Sequence, residues 1–298
     1  MDIREQITEI CQQLEVAVRC GQKMRNHTAL GVGGEIDAIA YPETPEAAAQ
    51  LIAELDKAGV NWSALGMGSR IIAQDTPINR VAISLKLLEE VLLFKDNIVQ
   101  VHCGYRMSKL AVAIVERGFC RLEKFVPYLG TLGAVIRHRD NRDLFLSSIE
   151  SFTCISEGKI VKMPGYELYH FTDAEKEKYL RLVLGAELKV FVSNSESYKK
   201  KLVEKVNSQL KKRRDHLIGT GPVFVEKVGR FSSAKLIENA GLKGFSCGQA
   251  MISLHNANFI TNNGNATARE VLDLIDQVKD KVKQHSGVDL SLALEVWQ

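Results

Sequence analysis

The chain predicts an α+β protein of more than one domain, and three observations carry that expectation. Residues 26–118 alternate short β-branched runs with amphipathic helical stretches, a rhythm that a helical bundle lacks. A polar break at Val192-Ser193-Asn194-Ser195 sets off a C-terminal part with its own turns, short apolar runs and a long helix. At 298 residues, with 45% hydrophobic and 25% charged side chains, the chain has room for two or three cores and an ordinary globular composition.

Residues 1–24 read as one helix, with Ile3, Ile7, Ile10, Leu14, Val16 and Val18 as its apolar stripe and Gly21 as its stop. Gly31-Val32-Gly33-Gly34 is then a turn, and Ile36 to Tyr41 a strand that Pro42 ends. Thr44 caps a helix that opens on Pro45 and runs to Lys57. Trp62 to Gly66 is a strand entering a glycine loop, Val81 to Leu85 a strand, Val91 to His102 a hairpin, and Ser108 to Gly118 a helix. Residues 145–190 read as strands, with Glu157-Gly158 as a turn and Leu180 to Leu184 as an apolar run. The last part begins with a basic helix over 198–214 and ends with a helix from Ala266 to Gly287, where Thr267 and Glu270 form a capping box.

Charge and composition exclude several classes. The net charge is +3, and the basic run from Tyr198 to Arg214 has no interleaved stacking platform, so it reads as a solvated helix face and not as a nucleic-acid surface. The six cysteines form no CxxC pair and no zinc-ligand spacing, which predicts reduced thiols and no metal centre. No apolar stretch approaches the roughly 20 residues of a membrane span, and Met1 to Glu5 opens no signal-like segment, which places the protein in the cytoplasm.

Three glycine loops can cradle phosphates: Gly31-Val32-Gly33-Gly34, Leu65-Gly66-Met67-Gly68-Ser69-Arg70 and Leu129-Gly130-Thr131-Leu132-Gly133. Glycines let backbone N–H groups approach a pyrophosphate, yet a single such loop is more often only a turn. The C-terminal part carries a longer ordered set: Gly221-Pro222-Val223-Phe224, Leu236 to Gly244, His255 to Asn262, and Leu294-Glu295-Val296.

Loops and C-terminal motifs together resemble the UDP-N-acetylenolpyruvoylglucosamine reductases, the MurB-type flavoenzymes of peptidoglycan precursor synthesis. The resemblance implies a MurB-like fold: a helix over 1–24, a two-part FAD-binding (PCMH-type) region over 25–192 with subdomains at about 25–88 and 89–192, and an α+β substrate-type domain over 193–298. It assigns FAD to Asn26, Thr28, Gly33, Gly34, Gly66, Gly68, Ser69, Gly130, Thr131 and Gly133. It assigns a UDP-sugar to Tyr166, Lys243, His255 and Asn258, a catalytic carboxylate to Glu295, and the reductant's role to NADPH.

The same comparison exposes departures. Pro222 stands at the family's proton-donating serine, and proline has neither hydroxyl nor backbone N–H. Glu167 stands at the arginine that clamps the substrate carboxylate, which a second carboxylate repels. Arg70 replaces an asparagine, and His138-Arg139-Asp140-Asn141-Arg142-Asp143-Leu144 replaces a run of small residues against the flavin. Arg137, Arg139 and Arg142 either bind phosphate oxygens or form a solvated loop, and the loop is favoured. Thr220, Cys247 and His170 are the available substitute acids.

Two principal functions follow. The favoured one is a catalytically impaired paralogue that keeps the fold and binds a sugar nucleotide or a protein partner. The alternative is an active NADPH- and FAD-dependent reductase with displaced catalytic groups; a flavin enzyme with another substrate is a third.

Overall fold

The computed structural model describes residues 2–88, 92–120, 130–137, 146–192, 196, 200, 201, 203, 204, 207, 208, 220–225, 227–229 and 231–298. Leu129, the 138–144 run, the break at 193–195 and most of the basic run at 198–214 lie outside them. The chain folds as two compact units, 1–20 with 38–66 and 80–216, and 21–37 with 67–79 and 217–298.

The N-terminal expectation needs correction. Helix α1 covers only Ile3–Gln13, and strand β1 follows at Ala17–Lys23. Glu15 adopts φ 55°, a left-handed conformation that ends helical propagation. Beyond it, side chains of β1 alternate between exposed and half-buried at its start, so Val18 lies on a strand and not on the helix stripe.

In the first unit, α1 packs on α2 (Pro45–Lys57), whose Ala48, Ala49, Leu51, Ile52 and Leu55 are buried. Thr44 caps α2 by accepting the Ala47 N–H at 3.1 Å, and Pro45 fills the first helical position. Along the chain come β2 (Glu35–Tyr41), β3 (Trp62–Leu65), β4 (Ile71–Ala73), which belongs to the second unit, and β5 (Ile78–Ser84); one four-stranded sheet has the order β1-β2-β5-β3, with β3 and β5 parallel. A five-stranded antiparallel sheet has the order β10-β9-β11-β7-β6, from β6 (Leu92–Lys95), β7 (Ile98–His102), β9 (Ile149–Ser156), β10 (Lys159–Pro164) and β11 (Val183–Lys189). Its hairpins turn at Asp96 and at Glu157-Gly158, all with positive φ. Helix α3 spans Met107–Glu116, β8 Phe119–Cys120, α4 Leu132–Arg137 and β12 Phe191–Val192. A further helix, α5 (Asp173–Leu180), interrupts the stretch read as strands, because Thr172 and Glu175 form a capping box there.

The second unit holds β4 paired in parallel with β18 (Glu295–Trp297), a hairpin of β13 (Lys227–Val228) and β14 (Phe231–Ser232), and helix α6 (Ser233–Asn239). A three-stranded sheet has the order β15-β16-β17, from Ser246–Cys247, Ala250–Ile252 and Ile260–Asn262. Helix α7 (Ala268–Ser286) lays Val271, Leu274, Ile275, Val278 and Val282 into this core, burial worth roughly 1.5–3 kcal/mol apiece. The Thr267–Glu270 box starts α7, and Gly287 at φ 70° ends it. Asp75 adds a long-range cap, its two carboxylate oxygens accepting the Ala268 and Arg269 N–H groups at 3.0 and 3.1 Å.

Candidate active site

The first glycine loop belongs to the second unit. A short turn at Met24–Asn26 is clamped by Met24 N–H on the Gly34 carbonyl (2.7 Å) and Arg25 N–H on the Gly33 carbonyl (3.2 Å). Asn26 is exposed, and Thr28 is buried. The Thr28 hydroxyl donates to the Val32 carbonyl at 2.7 Å and accepts the Val32 N–H at 3.2 Å, so this side chain closes its own loop. Gly34 donates to Gln74 at 2.7 Å, and a Cβ there would collide with the Asp75 and Thr76 carbonyl oxygens.

The second loop explains its glycine in the same way. Gly68 sits at φ 61° with its Cα against the His27 carbonyl, where no side chain fits. Its carbonyl accepts the Ala29 N–H at 3.0 Å. The next two carbonyls reach distant parts of the chain: Ser69 accepts the Gly221 N–H at 3.0 Å, and Arg70 accepts the Glu295 N–H at 2.8 Å. Glu295 pairs with Ile71 in the β18–β4 register, and its carboxylate accepts the Trp297 indole N–H at 3.4 Å. Ser69, Arg70, Gly221-Pro222 and Glu295 are thereby brought to one place. The Arg70 side chain runs along Gly221, its Nε 3.5 Å from where a Cβ on Gly221 would stand. Arg70 is only 7% exposed.

Pro222 lies in an extended segment held from both sides. Thr220 N–H bonds the Ile260 carbonyl (3.1 Å), Val223 N–H the Asn258 carbonyl (2.8 Å) and Val225 N–H the Ser291 carbonyl (2.9 Å). Asn258 acts as a surrogate strand: its Oδ1 accepts the Phe224 N–H and its Nδ2 donates to the Phe224 carbonyl, both at 2.9 Å. It is buried, and the side chain assigned to a sugar nucleotide is engaged with backbone. Thr220 is buried too, its hydroxyl accepting the Ile260 N–H at 3.1 Å, while Cys247 is half-buried in β15.

The remaining substrate-type residues are superficial. Lys243 pairs with Glu238 at 2.7 Å, and Lys243 and then Lys235 hold that exposed carboxyl below its ordinary range. His255 is exposed, its N–H on the Ser253 hydroxyl at 3.2 Å. Asn262 ties Leu30 to the sheet by donating to its carbonyl at 2.8 Å.

In the first unit, Gly130 accepts the Met107 N–H at 3.0 Å, Thr131 bridges Arg106, and Gly133, in the first turn of α4, donates to Cys103 at 2.9 Å. Gly66 faces the Thr131 hydroxyl, which stands 3.0 Å from the position of a Cβ on Gly66. Burial pushes the Cys103 thiol up to about 12, which removes it as a nucleophile. Tyr166 is 62% exposed on the turn Gly165–Tyr169, beside half-buried Glu167 and exposed His170. Among the described residues no cluster of His, Cys, Asp or Glu could hold a metal ion, and no helix is long and apolar enough to cross a membrane.

The donor set fits phosphates. Ser69 and Thr131 are buried, so each unit keeps one hydroxyl beside a glycine loop. Sequence reasoning did not single out Asp75, whose partners lie 193 and 194 residues away, and treated Arg70 only as a departure.

Residues 36–139 match the family described as FAD binding domain, and residues 200–297 the C-terminal domain of UDP-N-acetylenolpyruvoylglucosamine reductase. The class is thus an FAD-binding-type oxidoreductase fold with a MurB C-terminal domain. The UDP-N-acetylenolpyruvoylglucosamine reductase of Heliobacterium modesticaldum is 30% identical over 281 residues, covering 92% of this chain and 89% of the relative. That of Anoxybacillus flavithermus is 30% identical over 299 residues, with 97% of each chain covered. The solved UDP-N-acetylenolpyruvylglucosamine reductase (MurB) from Thermus caldophilus shares the fold, with a TM-score of 0.71 at 22% identity over 95% of this chain and 99% of that one. The chain belongs to the UDP-N-acetylenolpyruvoylglucosamine reductase family.

Proposed function

We propose that this chain is a catalytically impaired member of its family that keeps the fold and binds a sugar nucleotide or a protein partner. The observation that carries the reading is Pro222. Its neighbours Gly221 and Val223 are both fixed by their own N–H groups to Ser69 and Asn258, so the backbone cannot turn another donor into that position without breaking the segment. Of the substitute acids, Thr220 is buried and already engaged by Ile260, and His170 is exposed. Glu167 adds a repelling charge to the motif that carries the family's cation.

FAD is part of the reading, supported by the domain match over 36–139 and by the buried Ser69 hydroxyl beside the Gly68 backbone, which would hold phosphate oxygens. When bound it supplies the centre for hydride transfer. Glu295, positioned on β18 beside Arg70, supports the second reading, an active NADPH-dependent reductase that uses displaced groups.

The discriminating assay supplies FAD, NADPH and the enolpyruvyl substrate and follows product by mass spectrometry. No product above the enzyme-free control is expected, while thermal stability should rise with added UDP-sugar. Turnover at the rates of ordinary enzymes, about 1 s⁻¹ or faster, refutes the impaired reading. The visible spectrum after incubation with FAD and desalting reports the cofactor independently of turnover.

A further inference from the structure

We infer, on the FAD reading above, that Arg137 and Arg181 are positioning residues that fix Gly66 and the Gly130–Gly133 loop relative to each other for the cofactor. The two meet at one end of α4. Thr131 immediately precedes that helix, and its hydroxyl lies 3.0 Å from the place of a Cβ on Gly66, the residue that follows β3. Helix α4 has only six residues, and isolated helices shorter than about 12 residues are marginal in water, so tertiary ties must hold it. Arg137, its last residue, donates from Nη1 to the Arg181 carbonyl at 2.9 Å. Arg181 is the C-cap of α5, where helix carbonyls lack internal partners and a cation is favoured. Its own guanidinium donates from Nη2 to the Trp62 carbonyl at 2.9 Å and lies over the Trp62 ring, 3.7 Å from the centroid. The Trp62 indole N–H donates to Asp56 at 2.7 Å, and Asp56 and Glu177 offset the repulsion that Arg137 exerts on Arg181.

Trp62 is the first residue of β3, and Gly66 follows its last. Strand β3 and helix α4 are therefore tied at both ends, by Thr131 against Gly66 at one and by Arg137 and Arg181 on Trp62 at the other. Every member of this frame belongs to the first unit. Read from the sequence as a phosphate ligand or a solvated residue, Arg137 is instead engaged with protein backbone. Backbone N–H groups hold a pyrophosphate only where the loops that carry them keep their geometry to within about 0.5 Å, so loosening the far end of α4 is felt at the cofactor.

The test is equilibrium dialysis of the full chain against FAD, read at the flavin absorbance, with circular dichroism reporting the fold. Arg137→Met keeps side-chain length and removes the donors, and should weaken FAD binding by on the order of 10-fold. Arg137→Lys keeps a donor and should recover part of that loss. Arg181→Met removes the Trp62 bond and the stack, and should lose at least as much as Arg137→Met. Glu187→Gln, in the same unit with partners of its own, reports general loosening and should bind FAD as wild type does. Affinity within about twofold of wild type in folded Arg137→Met, or an equal loss in Glu187→Gln, overturns the inference and leaves two arginines that only stabilise the fold. If wild type takes up no FAD, the cofactor reading fails and this inference with it. Should Arg181→Met fail to fold, Arg137→Met decides, because that side chain is only half-buried and ends a helix.

Discussion

Replacing Asn258 by alanine separates a binding residue from a structural one. Its amide closes both sides of Phe224, whose ring is fully buried and whose backbone bridges Leu292 on the opposite edge. Asn258→Ala strands one N–H and one C=O without partners, and each orphaned buried group costs about 1–3 kcal/mol, so a loss on the order of 3 kcal/mol is expected. For a unit of little more than 100 residues that lowers Tm by roughly 10–20 °C. The assay is urea unfolding at unchanged m-value, paired with titration of UDP-sugar under conditions where the variant is folded. A Tm within about 1 °C of wild type, together with a tenfold or greater loss of ligand affinity, refutes the clamp and restores the ligand role that sequence resemblance assigns.

Three other predictions use the same logic. Asp75→Ala removes the cap on the Ala268 and Arg269 N–H groups and should cost about 1–2 kcal/mol, measured by thermal denaturation, with Asp75→Asn milder because it keeps one acceptor. Hydrogen bonds from Lys162, then Ser151 and Gln100, hold the Glu187 carboxyl down to about 2 from an ordinary value of 4.5; its stabilisation is therefore present above pH 4.5 and lost as pH falls towards 2. Glu187→Gln should flatten that acid limb of the stability profile, and an unchanged limb refutes the assignment. Pro222→Ser alone should not restore NADPH-dependent turnover, since Glu167 remains; strong activity in the single variant would show that the rest of the site is intact.

Local chemistry was legible. Thr44-Pro45, the Thr267–Glu270 box and the apolar spacing of α2 and α7 act over one or two helical turns, so a window of sequence contains both partners of each interaction. The ordered motifs from Asn26 to Glu295 likewise named the family without any geometry. The same windows missed α5, whose own capping box at Thr172 and Glu175 lay in a stretch read by its apolar runs alone. They also merged α1 with β1, because Val16 and Val18 continue the helical stripe by accident and only the left-handed Glu15 separates them.

Interactions between distant residues were decided by the tertiary fold. Asn258 meets Phe224 across 34 positions and Asp75 meets Ala268 across 193, and no periodicity encodes which polar side chain a distant backbone will claim. Gly34 and Gly68, read as phosphate cradles, are also required by the carbonyls of Asp75 and His27, a crowding that exists only once the loops are folded together. Sequence alone therefore determined the family and the capped helices, and placed a proline at position 222. Which of its motif residues remain available to a ligand was decided by packing, because a buried side chain pairs with whatever the completed fold leaves unsatisfied beside it.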